Sequence, residues 1–440
     1  MKKLLTLICT LIITAAFLAF VPACSEDLGE KYEGAIEKEM KGSFDFFWNE
    51  ANTTEGSPAY GLIVDRWPRA NEYGSIASVG FGLTAYVIGV EEGWVQREEA
   101  EERSLKTIEA LIGLQQREDV TWEGFFAHFI NMKNGNRYGN CEISSVDTAI
   151  LLCGAVTAGE YFGGKVKDAA YTLYGNVNWK AFEVVRGNKT YISMSYNPDT
   201  GKVVTSGVWD WYAEQLMIYV LGAGSPTAEY RLDDTAYYSF KRSVAGYNGH
   251  KFIHSYFGSL FTYQYSHAWI DFSGIVDREG VNWFKNSVEA SKAAYEFCRD
   301  RASSSKTFAE GGWGLTACDA PNGYNGYLGA TPRGWTPDAA YSKYEGTVAP
   351  AGAIGSVVFT PKESLEALEY YQTLRLINGK YGLLDSYNLD FDYFADQCIG
   401  IDKGISIVML SNYTDGIIWE TFMQSSEVQS ALTILGFTES

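Results

Sequence analysis

The sequence predicts an all-α fold in which long loops build a cleft. Helical signals recur throughout the second half of the chain, whereas strand signals are sparse. Long stretches rich in Gly, Asn, Tyr and Trp connect the helical segments, and no low-complexity linker interrupts the chain after residue 34. These features favour a helical toroid, in which inner and outer helices alternate around an axis. Periodicity alone fits another large α-fold equally well.

The N-terminus predicts an export signal. Two lysines precede an apolar run that ends at Cys24, and residues 21–24 (VPAC) approximate a lipobox. The predicted divisions are a signal peptide at 1–23, a tether at 24–33 and a single domain at 34–440. We therefore expect an exported lipoprotein with Cys24 lipidated, in the periplasm or at the outer membrane or cell surface, with the lipid as its membrane contact. An ordinary cleaved signal peptide is the alternative, because Pro22 is unusual in a lipobox.

Composition narrows the class of ligand. The formal charge of -19 argues against nucleic acid, whose phosphates the chain would repel. The 30 Tyr and 12 Trp, many in Gly-rich stretches, suit the flat faces of sugar rings, although aromatic residues also fill large cores. The four histidines have no metal-ligand spacing and the cysteines are scattered, so neither a metal, a cofactor nor a disulfide framework is expected.

Five helices and four long loops are predicted in order. One predicted helix starts at Thr360-Pro361-Lys362-Glu363. An N-cap Thr, a Pro at the first helical position and a Glu three residues after the cap are followed there by apolar residues at helical spacing. The other predicted helices are Arg97 to Leu114, Ser145 to Phe162, Trp209 to Leu221 and Ser287 to Arg299. The predicted loops are Glu55 to Ile76, Thr121 to Cys141, Arg186 to Val208 and Ser303 to Ala349.

Hydrolysis of a glycosidic bond with inversion needs a protonated carboxyl as acid and a carboxylate that activates water. Glu214 is the preferred acid, because on a helix Trp211, Met217, Ile218 and Leu221 would share its face, and an apolar face raises a carboxyl pKa. The competing explanation is a partly buried Glu paired with an Arg.

Other acids have settings that suit a cleft. Glu142 follows a long aromatic loop and precedes a helix start. Asp147 is better explained as the third residue of a capping box with Ser144. Asp385 and Asp402 lie beside glycines near turns, and each could be a catalytic base or a turn-forming Asp.

Eight sequence blocks carry a resemblance to a known family. They begin at Gly61 (GLIVDRWP), Ser75 (SIASVGFGLTAYVIGVEEGWVQREEA), Glu142 (EISSVDTAILLCGA), Trp209 (WDWYAEQLMIYVLGAGSP), Leu260 (LFTYQYSHAWIDF), Gly312 (GWGLTACDAPNGY), Gly346 (GTVAPAGAIGSVVFTP) and Tyr381 (YGLLDSYN). In this order they resemble the bacterial glucoamylase-like family that includes endo-β-1,2-glucanases and sophorose-releasing β-1,2-glucan hydrolases. The resemblance covers nearly the whole mature chain.

The resemblance implies an (α/α)6 toroid that hydrolyses glucan with inversion and without a metal. It implies that Glu214 is the proton donor, that Asp402 is the base and that Glu142 is an essential cleft acid. The residues it implies for sugar binding are Asp65, Arg66, Trp209, Tyr265, His267, Trp313 and Trp419. We therefore expect a monomeric β-glucan hydrolase, with β-1,2-glucan or sophoro-oligosaccharides as its expected substrates. An exo-acting α-glucan hydrolase and a non-catalytic glycan-binding lipoprotein are the alternatives.

Overall fold

The computed structural model describes residues 27–68, 72–330 and 345–440. The predicted signal peptide and Cys24 lie outside the described residues. The α-helices are α1 (Leu28–Asn49), α2 (Ile76–Glu91), α3 (Arg97–Gln115), α4 (Ser145–Phe162), α5 (Gly164–Gly175), α6 (Leu216–Ala223), α7 (Trp283–Arg299), α8 (Lys306–Ala309), α9 (Pro350–Ile354), α10 (Pro361–Thr373), α11 (Gly400–Thr414), α12 (Ile417–Phe422) and α13 (Ser426–Ile434). Short 3-10 helices include Leu260–Tyr263 and Tyr265–Ala268. The fold is therefore mostly helical.

The strands are short and pair as small antiparallel ribbons within the loops. They are β1 (Arg66–Trp67), β2 (Tyr73–Ser75), β3 (Thr121–Trp122), β4 (Phe125–Phe126), β5 (Phe129–Asn131), β6 (Ile143–Ser144), β7 (Glu183–Arg186), β8 (Lys189–Ile192), β9 (Ser195–Asn197), β10 (Lys202–Val203), β11 (Val244–Tyr247), β12 (His250–Ile253), β13 (Ile275–Val276), β14 (Cys318–Ala320), β15 (Gly323–Asn325), β16 (Asn378–Gly379), β17 (Gly382–Leu383), β18 (Tyr387–Asn388), β19 (Tyr393–Phe394), β20 (Cys398–Ile399) and β21 (Thr438–Glu439). Such ribbons fix long loops without forming a sheet core.

The helices divide by burial into two layers. Helices α2, α4, α6 and α11 are buried over almost their whole length, whereas α1, α3, α5, α7, α10 and α13 bury one face. Helix α2 packs against α1, α4 and α11, and α4 also packs against α5 and α6. The α2–α4 contact is close because Gly80 and Gly154 face the partner helix, where a Cβ would overlap its backbone. The four buried helices therefore have no face that is exposed to solvent.

Four of the five predicted helices are confirmed. Helices α3, α4 and α10 agree with their predictions, and α7 begins at Trp283 rather than Ser287. At α10 the predicted capping box does not form, because the Thr360 hydroxyl donates to Ser356 O at 3.2 Å. The helix predicted from Trp209 to Leu221 is wrong over its first half, since α6 begins only at Leu216. The segment before it is held by the β-bridge between Trp211 and Lys241.

The first described helix begins earlier than the predicted domain. Asp27 caps α1, accepting a hydrogen bond from Gly29 N at 2.9 Å, and Tyr32 and Ile36 are buried. The predicted tether at 24–33 therefore overlaps a packed helix, and the domain boundary at residue 34 is too late. Within the described part of the chain, none of the helices combines the length and apolarity needed to cross a membrane.

Candidate active site

A cavity of about 400 Å³ opens where the ends of several buried helices meet the loop ribbons. Its lining combines carboxylates, one arginine, one histidine and aromatic rings with an aliphatic floor. The lining residues are Asp65, Arg66, His128, Phe129, Val146, Asp147, Ile150, Glu214, Phe261, Gln264, Tyr265, Thr316, Ala317, Tyr324, Ala351, Gly352, Ile399, Ile401, Asp402 and Ile405. A concave site of this size with few convergent polar groups suits a small number of sugar units.

Glu214 reaches the cavity from an irregular segment just before α6. The Ser266 hydroxyl donates to the Glu214 carbonyl at 2.5 Å, and Gln215 bonds back to Trp211 O and to Ala213 N, which hold the segment in place. The helical-face argument for Glu214 is therefore wrong, although the predicted electrostatic result holds. Burial raises the pKa of Glu214 to about 7, and the nearby charge of Asp147 adds to the rise. Glu214 can thus keep a proton near neutral pH.

Asp402 reaches the cavity from the first turn of α11. Its side chain is buried, and burial raises the pKa of its carboxyl above the ordinary range. Behind it, on the side away from the cavity, lies Asp385, which is not part of the cavity lining. The predicted segment around Asp402 therefore does bring an acid to the cavity that Glu214 also lines.

Strand pairing brings Asp65 and Arg66 beside Asp402. β1 pairs with β20, so Arg66 lies opposite Ile399, and Gly400 N donates to Asp65 O at 2.7 Å at the start of α11. Arg66 Nε lies 3.3 Å from Asp65 Oδ2, and its Nη1 lies 3.2 Å from Asp319 Oδ2. The predicted binding pair thus faces the cavity as an ion-paired group. Burial raises the pKa of Asp65, which the charge of Arg66 partly offsets.

Glu142 does not line the cavity and acts on it through His128. His128 Nδ1 lies 2.9 Å from Glu142 Oε1, and His128 Nε2 lies 3.7 Å from Asp147 Oδ1. Burial lowers the pKa of His128, but the charge of Asp147 and the bond to Glu142 outweigh it and raise the pKa to about 9. The imidazole is therefore a cation between two carboxylates at neutral pH.

Within the described ranges, the same three residues are also the group whose arrangement could hold a metal ion. The ligand atoms of His128, Glu142 and Asp147 lie within 4.8 Å of one another. Metal binding would require a neutral imidazole, whereas the two carboxylates favour its protonated form. The arrangement is accounted for as an ion-paired cluster in which two carboxylates share one imidazolium.

Asp147 and Tyr324 are among the cavity residues that were not predicted as site residues from the sequence. Ser144 does cap α4, its hydroxyl accepting from Asp147 N at 3.2 Å, so the predicted cap is confirmed. The Asp147 carboxyl accepts from the Ser144 hydroxyl and also faces the cavity. Tyr324 lies on β15, is 54% exposed and presents its ring at the cavity edge. The sequence feature that could have indicated Tyr324 is its place as an aromatic residue between two Asn-Gly pairs.

Of the predicted sugar-binding residues, Tyr265 lines the cavity, but four others lie outside it. The four are Trp209, His267, Trp313 and Trp419, and none of them lines the cavity. Each indole N–H has an internal acceptor: Trp209 donates to Ser145 Oγ at 3.2 Å, Trp313 to Glu363 O at 3.2 Å and Trp419 to His267 O at 2.6 Å. Trp209 and Trp313 are buried in the core and Trp419 is half-buried, and the structure places all three rings outside the cavity.

His267 is a buried neutral residue. Its Nε2 and the Ser287 hydroxyl lie 2.9 Å apart, and the ring packs among Phe272, Phe284 and Phe359. Burial lowers the pKa of His267 to about 3. In place of the predicted contact with a sugar, His267 forms an internal bond to Ser287.

Comparison with known proteins identifies the family. Residues 207–426 match the family model described as "Putative glucoamylase". The chain belongs to this glucoamylase-like family. The matched residues contain Glu214, Tyr324 and Asp402, so several residues of the cavity lining lie within the match.

Individual relatives share the fold of this glucoamylase-like protein. A structure from Bacteroides uniformis, solved under the same description, is 27% identical, with a TM-score of 0.81 over 93% of this chain and 98% of that chain. An endo-β-1,2-glucanase of Chitinophaga pinensis, solved with sophorotriose and glucose, has a TM-score of 0.78 at 24% identity over 93% of this chain and 99% of that one.

A curated relative is longer than this glucoamylase-like chain. The exo-β-1,2-glucooligosaccharide sophorohydrolase (non-reducing end) of Parabacteroides distasonis is 25% identical over 91% of this chain. The chain spans about 57% of the length of that relative.

Proposed function

We propose that this protein is a glycoside hydrolase that cleaves β-1,2-glucan or sophoro-oligosaccharides with inversion. The observation that carries the proposal is the pairing, in one cavity, of Glu214, whose pKa is raised to about 7, with the buried Asp402. The linkage is inferred from the named activity of the Parabacteroides distasonis relative. Inversion needs one carboxyl that is protonated and one that is ionised, and two acids in different environments can meet both needs.

In the proposed reaction Glu214 donates its proton to the glycosidic oxygen as the bond from that oxygen to the anomeric carbon breaks. A water molecule attacks the anomeric carbon from the opposite face, and Asp402 accepts the proton that this water loses. The product has the inverted configuration, while Glu214 is left ionised and Asp402 protonated. Proton exchange with solvent restores both groups.

The remaining cavity residues bind and orient the sugar. Asp65 and Arg66 offer a carboxylate acceptor and guanidinium donors for hydroxyl groups, and Tyr265 offers its phenol. The exposed ring of Tyr324 supplies a flat face for the C–H side of a glucose ring. Glu142 helps to keep His128 charged, and His128 in turn lies 3.7 Å from Asp147 Oδ1 at the cavity wall.

We infer that the architecture is an (α/α)6 toroid. The inner ring would consist of α2, α4, α6, the 3-10 segment 260–268, α9 and α11. Support comes from the contacts of α2 with α4, α4 with α6, and α11 with 265–268, α9 and α2. The outer ring would be formed by the half-buried helices, and the cavity would lie at one end of the axis.

For the cellular context we propose export as a monomeric lipoprotein anchored through Cys24, in the periplasm or at the outer membrane or cell surface. The support is the sequence of residues 1–24. Metabolic labelling with a radioactive fatty acid and fractionation would test it. The wild-type chain should be labelled and membrane-bound, and Cys24→Ala should be neither.

The activity is tested by chromatography of products after incubation of the signal-free protein with β-1,2-glucan and, in parallel, with soluble starch. We expect sophorose or short β-1,2-linked oligomers from the first substrate. Glu214→Gln should lower kcat by about 100- to 10,000-fold while substrate still binds, because general acid catalysis supplies a factor of this size. Glucose from starch alone would assign the protein to exo-acting α-glucan hydrolysis, which the family description favours. Binding without turnover in both forms would assign it to glycan binding.

A further inference from the structure

Asp385 is a buried acid that the proposed reaction does not use. It lies between β17 and β18 and is 2% exposed. Its Oδ2 accepts a hydrogen bond from Asp319 N at 2.6 Å, whereas its Oδ1 has no hydrogen-bond partner among the described residues. A buried carboxylate oxygen without a donor is costly, so this atom needs an explanation.

Asp402 also has a carboxylate oxygen that lacks a hydrogen-bond donor among the described residues. Its Oδ2 is likewise buried and has no donor in the described part of the chain. The carboxyl groups of Asp385 and Asp402 lie within hydrogen-bonding reach of each other and border the same small enclosed space behind the cavity. If both groups were ionised, two negative charges would face each other without a donor between them. One proton satisfies both atoms at once.

We propose that Asp385 retains a proton and donates it in a hydrogen bond to Asp402, which makes Asp385 a positioning residue that keeps the catalytic base ionised and oriented. This inference rests on the proposed function. In it, Asp385 touches neither the substrate nor the attacking water, since it lies behind Asp402 and outside the cavity lining.

The surrounding charges place the proton on Asp385 rather than on Asp402. The charged groups near the pair are Arg66 on β1, Asp319 on β14, Lys403 on α11 and Glu39 on α1, with Asp65 beside Arg66. The neutral titratable groups near it are Tyr265, Cys318, Tyr324 and Tyr393. Arg66 and Lys403 favour an ionised Asp402, while the charges that act on Asp385 are those of Asp402 and Asp319.

Each nearby cation already has another acid partner. Arg66 pairs with Asp65 and Asp319, and Lys403 donates to Glu39 in the buried contact between α11 and α1. The two cations are therefore already engaged by three other acids, and neither is free to compensate for a second negative charge on the Asp385–Asp402 pair. In agreement, burial and the charge of Asp402 raise the pKa of Asp385 well above its usual range, and the bond from Asp385 lowers the pKa of Asp402.

Two substitutions at Asp385 separate this role from that of a base. Asp385→Asn would keep an acceptor for Asp319 N and a donor toward Asp402, whereas Asp385→Ala would remove both. The alanine variant is expected to lower kcat by about 100-fold and to move the acidic limb of the kcat–pH profile upward by about one pH unit, because Asp402 loses its donor. The asparagine variant is expected to restore kcat to within about tenfold of wild type, with the acidic limb at its original position.

The deciding result is the activity of Asp385→Asn beside that of Asp402→Asn. If both are inactive and folded by circular dichroism, Asp385 is itself an ionised base and the proposal is overturned. If Asp385→Ala does not fold, the activity of Asp385→Asn alone still tests the proposal. Lack of β-1,2-glucan hydrolysis by the wild type would instead count against the proposed function.

A second readout does not depend on activity. At mildly alkaline pH, where Glu214 is ionised, the infrared spectrum of the wild type should contain the carbonyl band of a protonated carboxyl group, and Asp385→Asn should remove it. Glu214→Gln should leave this band in place as the control. Absence of the band from the wild type would overturn the proposal.

Discussion

The Ser266 hydroxyl donates a hydrogen bond of 2.5 Å to the carbonyl of Glu214 and accepts one of 3.1 Å from Met217 N. One side chain of the 3-10 segment Tyr265–Ala268 therefore fixes the irregular backbone from which Glu214 reaches the cavity. The acid is positioned by a tertiary contact rather than by a helix of its own.

Removal of this contact should reduce catalysis more than stability. Ser266→Ala is expected to lower kcat by about tenfold, since a lost hydrogen bond of about 1 kcal/mol loosens the segment that carries the acid. Steady-state kinetics and thermal melting would measure the two effects. The exposed Ser303→Ala is the matched control, and equal kinetics for both variants would contradict the assignment.

The pH dependence follows from the pKa of Glu214. Because the acid must be protonated, kcat should fall as the pH rises through about 7, the value to which burial raises this pKa. The base must be ionised, so kcat should also fall at low pH as Asp402 gains a proton. A kcat–pH profile measures both limbs. A rate that stays constant through neutral pH would show that Glu214 is not the acid.

Glu142→Gln should change the charge of His128. The imidazole pKa of about 9 depends partly on the bond to Glu142, so the substitution should lower it and weaken the hold on Asp147. NMR titration of the His128 ring would measure the shift. His128 has a folded-state pKa above its ordinary value, so its stabilising effect is full below about 6.5 and disappears as pH rises through about 9. An unchanged His128 pKa in Glu142→Gln would contradict this coupling.

Tyr324 and Trp313 should respond differently to substitution. Tyr324→Ala should raise KM by about tenfold with an unchanged melting temperature, since stacking contributes about 1 kcal/mol and the ring is exposed. Trp313→Phe should lower the melting temperature with an unchanged KM, because its indole N–H donates to Glu363 O inside the core. The reverse pattern would return Trp313 to the sugar site.

Sequence patterns predicted the helices that have one polar face. Helices α3, α7 and α10 alternate apolar and polar residues at helical spacing, and their existence was predicted correctly. Helix α2 was not predicted, because its residues from Ile76 to Gly89 are all buried and the segment is apolar on every side. A segment of this kind has no helical periodicity to detect, and the similarly buried α4 differs from α2 in having a capping side chain, that of Ser144, which indicates its start.

Part of the cavity lining was predictable from the sequence, but the geometry of the site was not. Glu214, Asp402, Asp65, Arg66 and Tyr265 face one cavity, as expected for a site assembled from separate blocks. Trp209, His267, Trp313 and Trp419 were predicted at the site but lie outside the cavity, since sequence alone does not distinguish an indole that binds sugar from one that donates to an acceptor inside the fold. The contact of His128 with Glu142, and of Asp385 with Asp402, depends on tertiary structure that local patterns do not encode.

The most direct test of the central claim is proton NMR of the anomer released first from β-1,2-glucan. Inversion by Glu214 and Asp402 predicts that the α-anomer appears first and then mutarotates toward equilibrium. Initial release of the β-anomer would contradict the assigned mechanism, and no release by the wild-type protein would contradict the proposed activity.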